Sequence, residues 1–234
     1  MNKKILTIVG AAFCAVLLVA GSIMGTLAYL TSTASVTNTF TVGNVSITLT
    51  ESPVDANGKK TTGARVDANN YHLVPGTTYD KDPLITVAAK SEASYIFVKV
   101  ENGLIGVETT DEGKTIVDQL ENGGWKTLDA YVAWYNNGKA DEDKIPAPTT
   151  NAENVYVYCK SKDAPDPVVA KSNTDVEIQV FNTFSLASTA NLSTLNPDSN
   201  GAISATIKVT AYAVQATGLA NPSLAWNTAF GNPN

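Results

Sequence analysis

The chain is poor in the residues on which most enzyme chemistry turns. Of its 234 residues one is histidine (His72), one is arginine (Arg65) and two are cysteine (Cys14 and Cys159). A single imidazole excludes the His-Glu-x-x-His zinc site, which needs two histidines one helical turn apart. No Gly-x-Ser-x-Gly elbow accompanies His72, which sits in Asn70–Pro75 and reads as a surface residue at a strand edge. Neither a Gly-x-Gly-x-x-Gly nor a Walker loop occurs, so no phosphate cradle is expected. Two cysteines cannot make a disulfide framework. With 16 Lys+Arg against 22 Asp+Glu the formal charge is −6, the wrong balance for phosphate binding by counterion release, so no nucleic-acid partner is expected. Any two of the acids could meet in space as a glycosidase pair, which leaves a secreted hydrolase as the weakest alternative. The expectation is a chain that is not an enzyme and that carries no cofactor.

What is abundant is apolar and β-branched. At 44% hydrophobic against 16% charged residues, the chain can build a packed core. Its first fifty residues hold no acid and two bases, Lys3 and Lys4. Ile5–Ala20 is apolar apart from Thr7 and small residues, and Gly21, Ser22, Gly25 and Thr26 follow, the layout of a secretory signal. Signal peptidase takes small side chains at −1 and −3, and Thr26 and Ala28 satisfy it, so cleavage is expected after Ala28 with Tyr29 as the new N-terminus. The competing reading is an uncleaved anchor, since a span needs only ~20 apolar residues. The Gly/Ser/Thr interruption shortens the apolar centre and favours cleavage. Cys14 follows bulky Phe13 in mid-core, which argues against lipidation. The segments are thus a signal at 1–28 and one secreted domain at 29–234, in contact with membrane only before cleavage.

Strand signals dominate the rest. Phe40–Val42 and Val45–Thr50 flank a kink at Gly43-Asn44. Ile85–Val87, Val155–Cys159, Val176–Phe184 and Ala202–Val214 are further strands. Tyr95–Val100 is apolar on both faces until Lys99, as a central sandwich strand would be. Ala130–Tyr135 reads as a strand ending at the Asn136-Asn137-Gly138 turn. In that strand Tyr131 and Tyr135 would share one face and Trp134 the other. Alternation puts Cys159 with Val155 and Val157, as a small buried hydrophobe. Helical signals are short: Thr115–Leu120, and a stretch from Pro222 with Leu224, Ala225 and Trp226. The expected fold is all-β, an antiparallel β-sandwich, jelly-roll-like, with a few short helices. Glu51–Asn70 and Asp141–Asn151 read as surface loops, and Asp80, Asp82 and Asp141–Asp143 as solvated. Asn196–Gly201 imitates the start of a calcium loop, but the twelfth position is Ile207 where a bidentate Glu is needed, so no metal site is expected.

Gly25–Thr31, continuing into Thr37–Val45 with its Asn-Thr-Phe-x-x-Gly-Asn-Val strand, resembles the TasA/camelysin family of secreted Gram-positive proteins. Val74-Pro75-Gly76, Thr210–Ala216 and Ala225-Trp226 agree more loosely. The resemblance implies a jelly-roll sandwich, processing by a SipW-type signal peptidase at Thr26, Ala28 and Tyr29, and a role as a fibre-forming biofilm-matrix or surface protein. Some members are described as metalloproteases; this chain lacks the histidines, so no catalytic residue is carried over.

From Tyr29 to Thr50 the chain is uncharged, and nothing in such a tract repels another sheet edge. Donor-strand pairing into a neighbouring copy would use this tract, with Thr39, Phe40, Val42, Val45, Ile47 and Leu49 as the assembly strand. A head-to-tail contact of this kind need not close, so it yields filaments. The implied partners are other copies of the chain and matrix or cell-surface components, and the implied location is extracellular. The alternative is a leader at 29–39 with Phe40–Thr50 as an internal strand. A different class of function is an adhesin or carbohydrate-binding module with Trp125, Tyr131, Trp134 and Tyr135 as its platform.

Overall fold

The computed structural model describes residues 45–148, 152–160, 167–169, 172–195 and 205–231, together with the backbone of 31–35 and 38–39. Residues 1–28, expected to be a signal, Phe40–Val42 and Asn196–Gly201 lie outside the described residues. Mostly antiparallel strands and three short helices among the described residues make an all-β, sandwich-like fold.

In chain order the strands are β1 (Thr31–Ser35), β2 (Asn38–Thr39), β3 (Ile47–Thr50), β4 (Thr78–Asp80), β5 (Leu84–Val87) and β6 (Ser94–Asn102). After helix α1 (Ile116–Asn122) come β7 (Trp125–Thr127) and helix α2 (Leu128–Asn136). Then follow β8 (Val155–Tyr158), β9 (Val168–Val169), β10 (Val176–Gln179), β11 (Thr183–Ser185), β12 (Ile207–Gln215) and helix α3 (Pro222–Phe230). The large sheet runs β2-β1-β12-β6-β8-β7, with β9 also on β6; β10-β5-β3 form a second sheet, and β11-β4 a two-stranded one.

Strand alternation sorts the central strands onto two cores. Ile96, Val98 and Val100 of β6 and Val209, Ala211 and Ala213 of β12 face the β10-β5-β3 sheet, where Ile47, Leu49, Ile85, Val87 and Ile178 complete one cluster. Tyr95, Phe97, Val155, Val157, Cys159 and Val214 occupy the other face under Leu128, Tyr131 and Val132 of α2 and Ala225 and Trp226 of α3. The double-sided apolar pattern of Tyr95–Val100 therefore reflects a sheet covered by strands on one face and by helices on the other. Cys159 lies fully buried on the Val155/Val157 face, as alternation predicts.

The Ala130–Tyr135 segment is helix, not strand. Its aromatic and β-branched residues suggested a strand, but Leu128, Tyr131, Val132 and Tyr135 fall at i, i+3, i+4 and i+7 and form one helical stripe over the sheet. The Thr127 side chain caps the helix by accepting from Ala130 N at 3.1 Å. Thr115 does the same for α1 through Asp118 N at 3.0 Å, and Asn221 for α3 through Leu224 N at 2.8 Å, with Pro222 in the first turn. Val176–Phe184 is two strands rather than one, β10 and β11, which pair with β5 and β4 respectively.

Candidate functional site: the N-terminal strand and the sheet edge it caps

The uncharged N-terminal tract meets the body of the protein at the edge of the large sheet. β12 is nine residues long, and β6 pairs with all of it from Ile207↔Asn102 to Gln215↔Ser94. On its other side β1 pairs antiparallel over the last part alone, Thr31↔Val214 to Ala34↔Ala211. The chain then turns back, with β2 on β1 at Ala34↔Thr39 and Ser35↔Asn38. Among the described residues no strand pairs with Ile207–Thr210 on the β1 side. Every second residue of an antiparallel strand turns its N–H and C=O to that side; of these four residues Val209 and Thr210 are buried, and Ile207 and Lys208 are the part open to solvent.

A cavity of about 820 Å³ runs along the same half-edge. Ile207–Thr210 form one wall, and Leu104, Phe184, Leu192 and Leu195 supply apolar lining. Glu51, Asn69 and Lys81 form a polar wall. A concave space with both apolar and polar walls, beside a strand edge that no described strand covers, is a geometry that strand addition can use.

The residues expected to form the assembly strand are divided by the fold. Val45, Ile47 and Leu49 are core residues, 2%, 0% and 5% exposed, with β3 paired to β5 in the second sheet. Thr39 is in β2. Phe40, Val42 and the processing residues Thr26, Ala28 and Tyr29 lie outside the described residues. The segment that pairs with β12, inside β2 at the margin of the large sheet, is Thr31–Ser35, a Thr/Ser-rich stretch with little hydrophobic signal of its own.

The 51–70 segment is less of a free loop than its composition suggests. Glu51 and Val66 exchange backbone hydrogen bonds at 2.8 and 2.7 Å, and Thr61 N donates to Pro53 O at 2.8 Å. Asp82 is not solvated: it is 8% exposed and accepts from Ser52 N at 2.6 Å, Ser52 Oγ at 2.8 Å and Lys60 Nζ at 2.7 Å. The lone arginine, Arg65, lies 3.4 Å from the Asp82 carboxylate and donates to Asp82 O at 2.6 Å and Thr50 O at 2.8 Å. Burial alone would raise the Asp82 pKa; the Lys60 and Ser52 hydrogen bonds and the Arg65 charge outweigh it and hold it at about 2. Lys81 and Glu51 form a second, buried pair with Nζ 2.5 Å from Oε1. No sequence motif announces either network, because the partners come from three separate segments. Asp141–Asp143 is exposed, as expected, in a single 3₁₀ turn.

The aromatic residues also rearrange. Trp125 is completely buried and belongs to no surface platform. Tyr131, Trp134 and Tyr135 share one face of α2, with ring centroids 5.9 to 6.5 Å apart, and Trp134 is 48% exposed. Lys139 Nζ lies 3.4 Å over the Tyr135 ring. His72 is exposed, and its carbonyl accepts from Tyr79 Oη at 2.8 Å. Among the described residues no three His, Cys, Asp or Glu are grouped to hold a metal ion, and no helix is long and apolar enough to cross a membrane. Compared with protein-family models, curated proteins and solved structures, the chain matches none.

Proposed function

We propose that this chain is an exported, non-enzymatic structural protein of the cell surface or extracellular matrix, and that copies join into fibres by exchanging the N-terminal strand. The observation that carries the reading is the β1 position: an uncharged strand that, with β2 outside it, forms the margin of the large sheet and pairs with less than half of β12. The β1–β2 pair so placed can be replaced by the same pair of another copy with the same backbone hydrogen bonds to β12. The exchange is then close to neutral per contact, and the adjoining half-edge and cavity add surface that the intramolecular strand leaves unused. Processing at Thr26, Ala28 and Tyr29 by a SipW-type signal peptidase would release this arm outside the cell. The resemblance to the TasA/camelysin family supports the same role.

The test compares chains beginning at Tyr29 with chains lacking Tyr29–Thr39, imaged by negative-stain electron microscopy. Filaments from the first and none from the second are expected; unchanged filaments from the shortened chain refute strand exchange.

A second reading, an adhesin or carbohydrate-binding module, is favoured by the exposed Trp134 beside Tyr135 on α2. Glycan binding lost in Trp134→Ala, without self-assembly of the wild type, would select it.

A further inference from the structure

β3 ends at Thr50, and the next side chain, Glu51, turns inward to meet Lys81, the residue after β4. Both are charged and both are almost wholly withdrawn from water, Glu51 at 5% and Lys81 at 7% exposure. Lys81 Nζ lies 2.5 Å from Glu51 Oε1. The second oxygen of the same carboxylate, Oε2, accepts from Asn69 Nδ2 at 3.0 Å. One buried carboxylate thus holds an amine and a carboxamide on its two oxygens.

The carboxamide is oriented at every polar atom. Asn69 Nδ2 also donates to Ser52 O at 2.9 Å, and Asn69 Oδ1 accepts from Val54 N at 3.1 Å. A plain ion pair needs none of this. Together the contacts supply a nucleophile, a polarised carbonyl with an N–H on its oxygen, and a proton carrier touching both the attacking and the leaving nitrogen. Both groups are held on the two oxygens of one carboxylate, and such fixed placement lowers the entropic part of the barrier to their reaction.

We propose that Lys81 and Asn69 are joined by an intramolecular isopeptide bond that the chain forms by itself, with Glu51 as the catalytic residue. Glu51 Oε1 takes a proton from the Lys81 ammonium, and the freed Nζ lone pair adds to Asn69 Cγ. Charge developing on Oδ1 is met by Val54 N–H. Nζ gives up a second proton, Glu51 Oε2 returns protons to Nδ2, the Cγ–Nδ2 bond breaks and nitrogen departs as ammonium. One C–N bond forms and one breaks, the Glu51 carboxylate is restored, and no oxidant, reductant or cofactor is consumed. The cavity lined by Glu51, Asn69 and Lys81 gives the ammonium a way out. The bond would fasten the 51–70 segment to the end of β4, and it does not depend on fibre formation.

The experiment is intact-mass spectrometry of the folded wild-type protein, with its N-terminus determined, followed by peptide mapping. The expected result is a mass lower than the sequence mass by one ammonia, and a branched peptide containing Asn69 and Lys81. A succinimide at Asn57-Gly58 or Asn137-Gly138 loses the same mass but leaves every peptide linear, so the branched peptide decides. Glu51→Gln and Asn69→Ala, each shown to be folded by circular dichroism, are expected to recover the full mass. Folded wild type with Asn69 and Lys81 in separate linear peptides overturns the proposal, whatever the variants do. A branched peptide persisting in folded Glu51→Gln overturns the role of Glu51.

Discussion

Neutralising Asp82 should cost stability in a pH-dependent way that its surroundings define. Its carboxylate is held at a pKa of about 2 against an ordinary 3.8. At about 1.4 kcal/mol per pKa unit, that difference corresponds to about 2 kcal/mol of folding free energy. This is an upper figure, because the Lys60 side chain is 56% exposed and water screens its share. The folded pKa is depressed, so the contribution is complete above about pH 5 and is lost as pH falls towards about 2. Asp82→Asn keeps the shape and removes the charge. Lys60 can then rehydrate and Arg65 partly so, which keeps the loss below that of a fully buried broken pair. Urea unfolding near pH 7 should show Asp82→Asn less stable by about 1 kcal/mol and by no more than about 2, with an unchanged denaturant slope. Between about pH 5 and pH 2 the wild type should lose stability faster than the variant, until the two curves converge. Parallel curves across that window would refute the reasoning, because Asp82 would then not be linked to folding through its charge.

Two further outcomes follow from packing. Gly58 has φ of +69°, and a Cβ there would overlap Cδ1 of the Tyr79 ring, so Gly58→Ala should lower stability by more than about 1 kcal/mol, read as a drop in Tm; an unchanged Tm contradicts it. Cys159 is fully buried on the helix-covered face, so a thiol reagent should label it only as fast as the protein opens, and prompt labelling of the native protein would show that face to be uncovered.

How much of this was legible in the sequence depended on whether the signal was local. Tyr95–Val100, Val155–Cys159 and the Pro222 helix follow from alternation, β-branching and capping residues, all of which act over a few positions. At α2 two local signals oppose each other: Tyr131, Val132 and Trp134 favour strands as residue types, whereas the spacing from Leu128 to Tyr135 and the Thr127 cap favour helix. Burying that stripe on the sheet decides the contest. Asp82, Lys60, Arg65 and Ser52, like Glu51, Asn69 and Lys81, are polar residues in segments that composition marks as loops. They become networks only when β3 and the residues after β4 are brought side by side, which no window of sequence shows. Thr31–Ser35 carries almost no hydrophobic pattern in the sequence, so its backbone pairing with β12 has no local signal that announces it.

Strand exchange makes one contact above all others measurable. Ser32 and Ala213 are register partners across β1 and β12, a spacing that a disulfide can bridge. Chains carrying only Ser32→Cys and chains carrying only Ala213→Cys, mixed, assembled and oxidised, should give disulfide-linked pairs of one of each, in filaments and not in unassembled protein. Filaments that form from the mixture without any such pair would mean that every copy keeps its own first strand, and would contradict assembly by exchange.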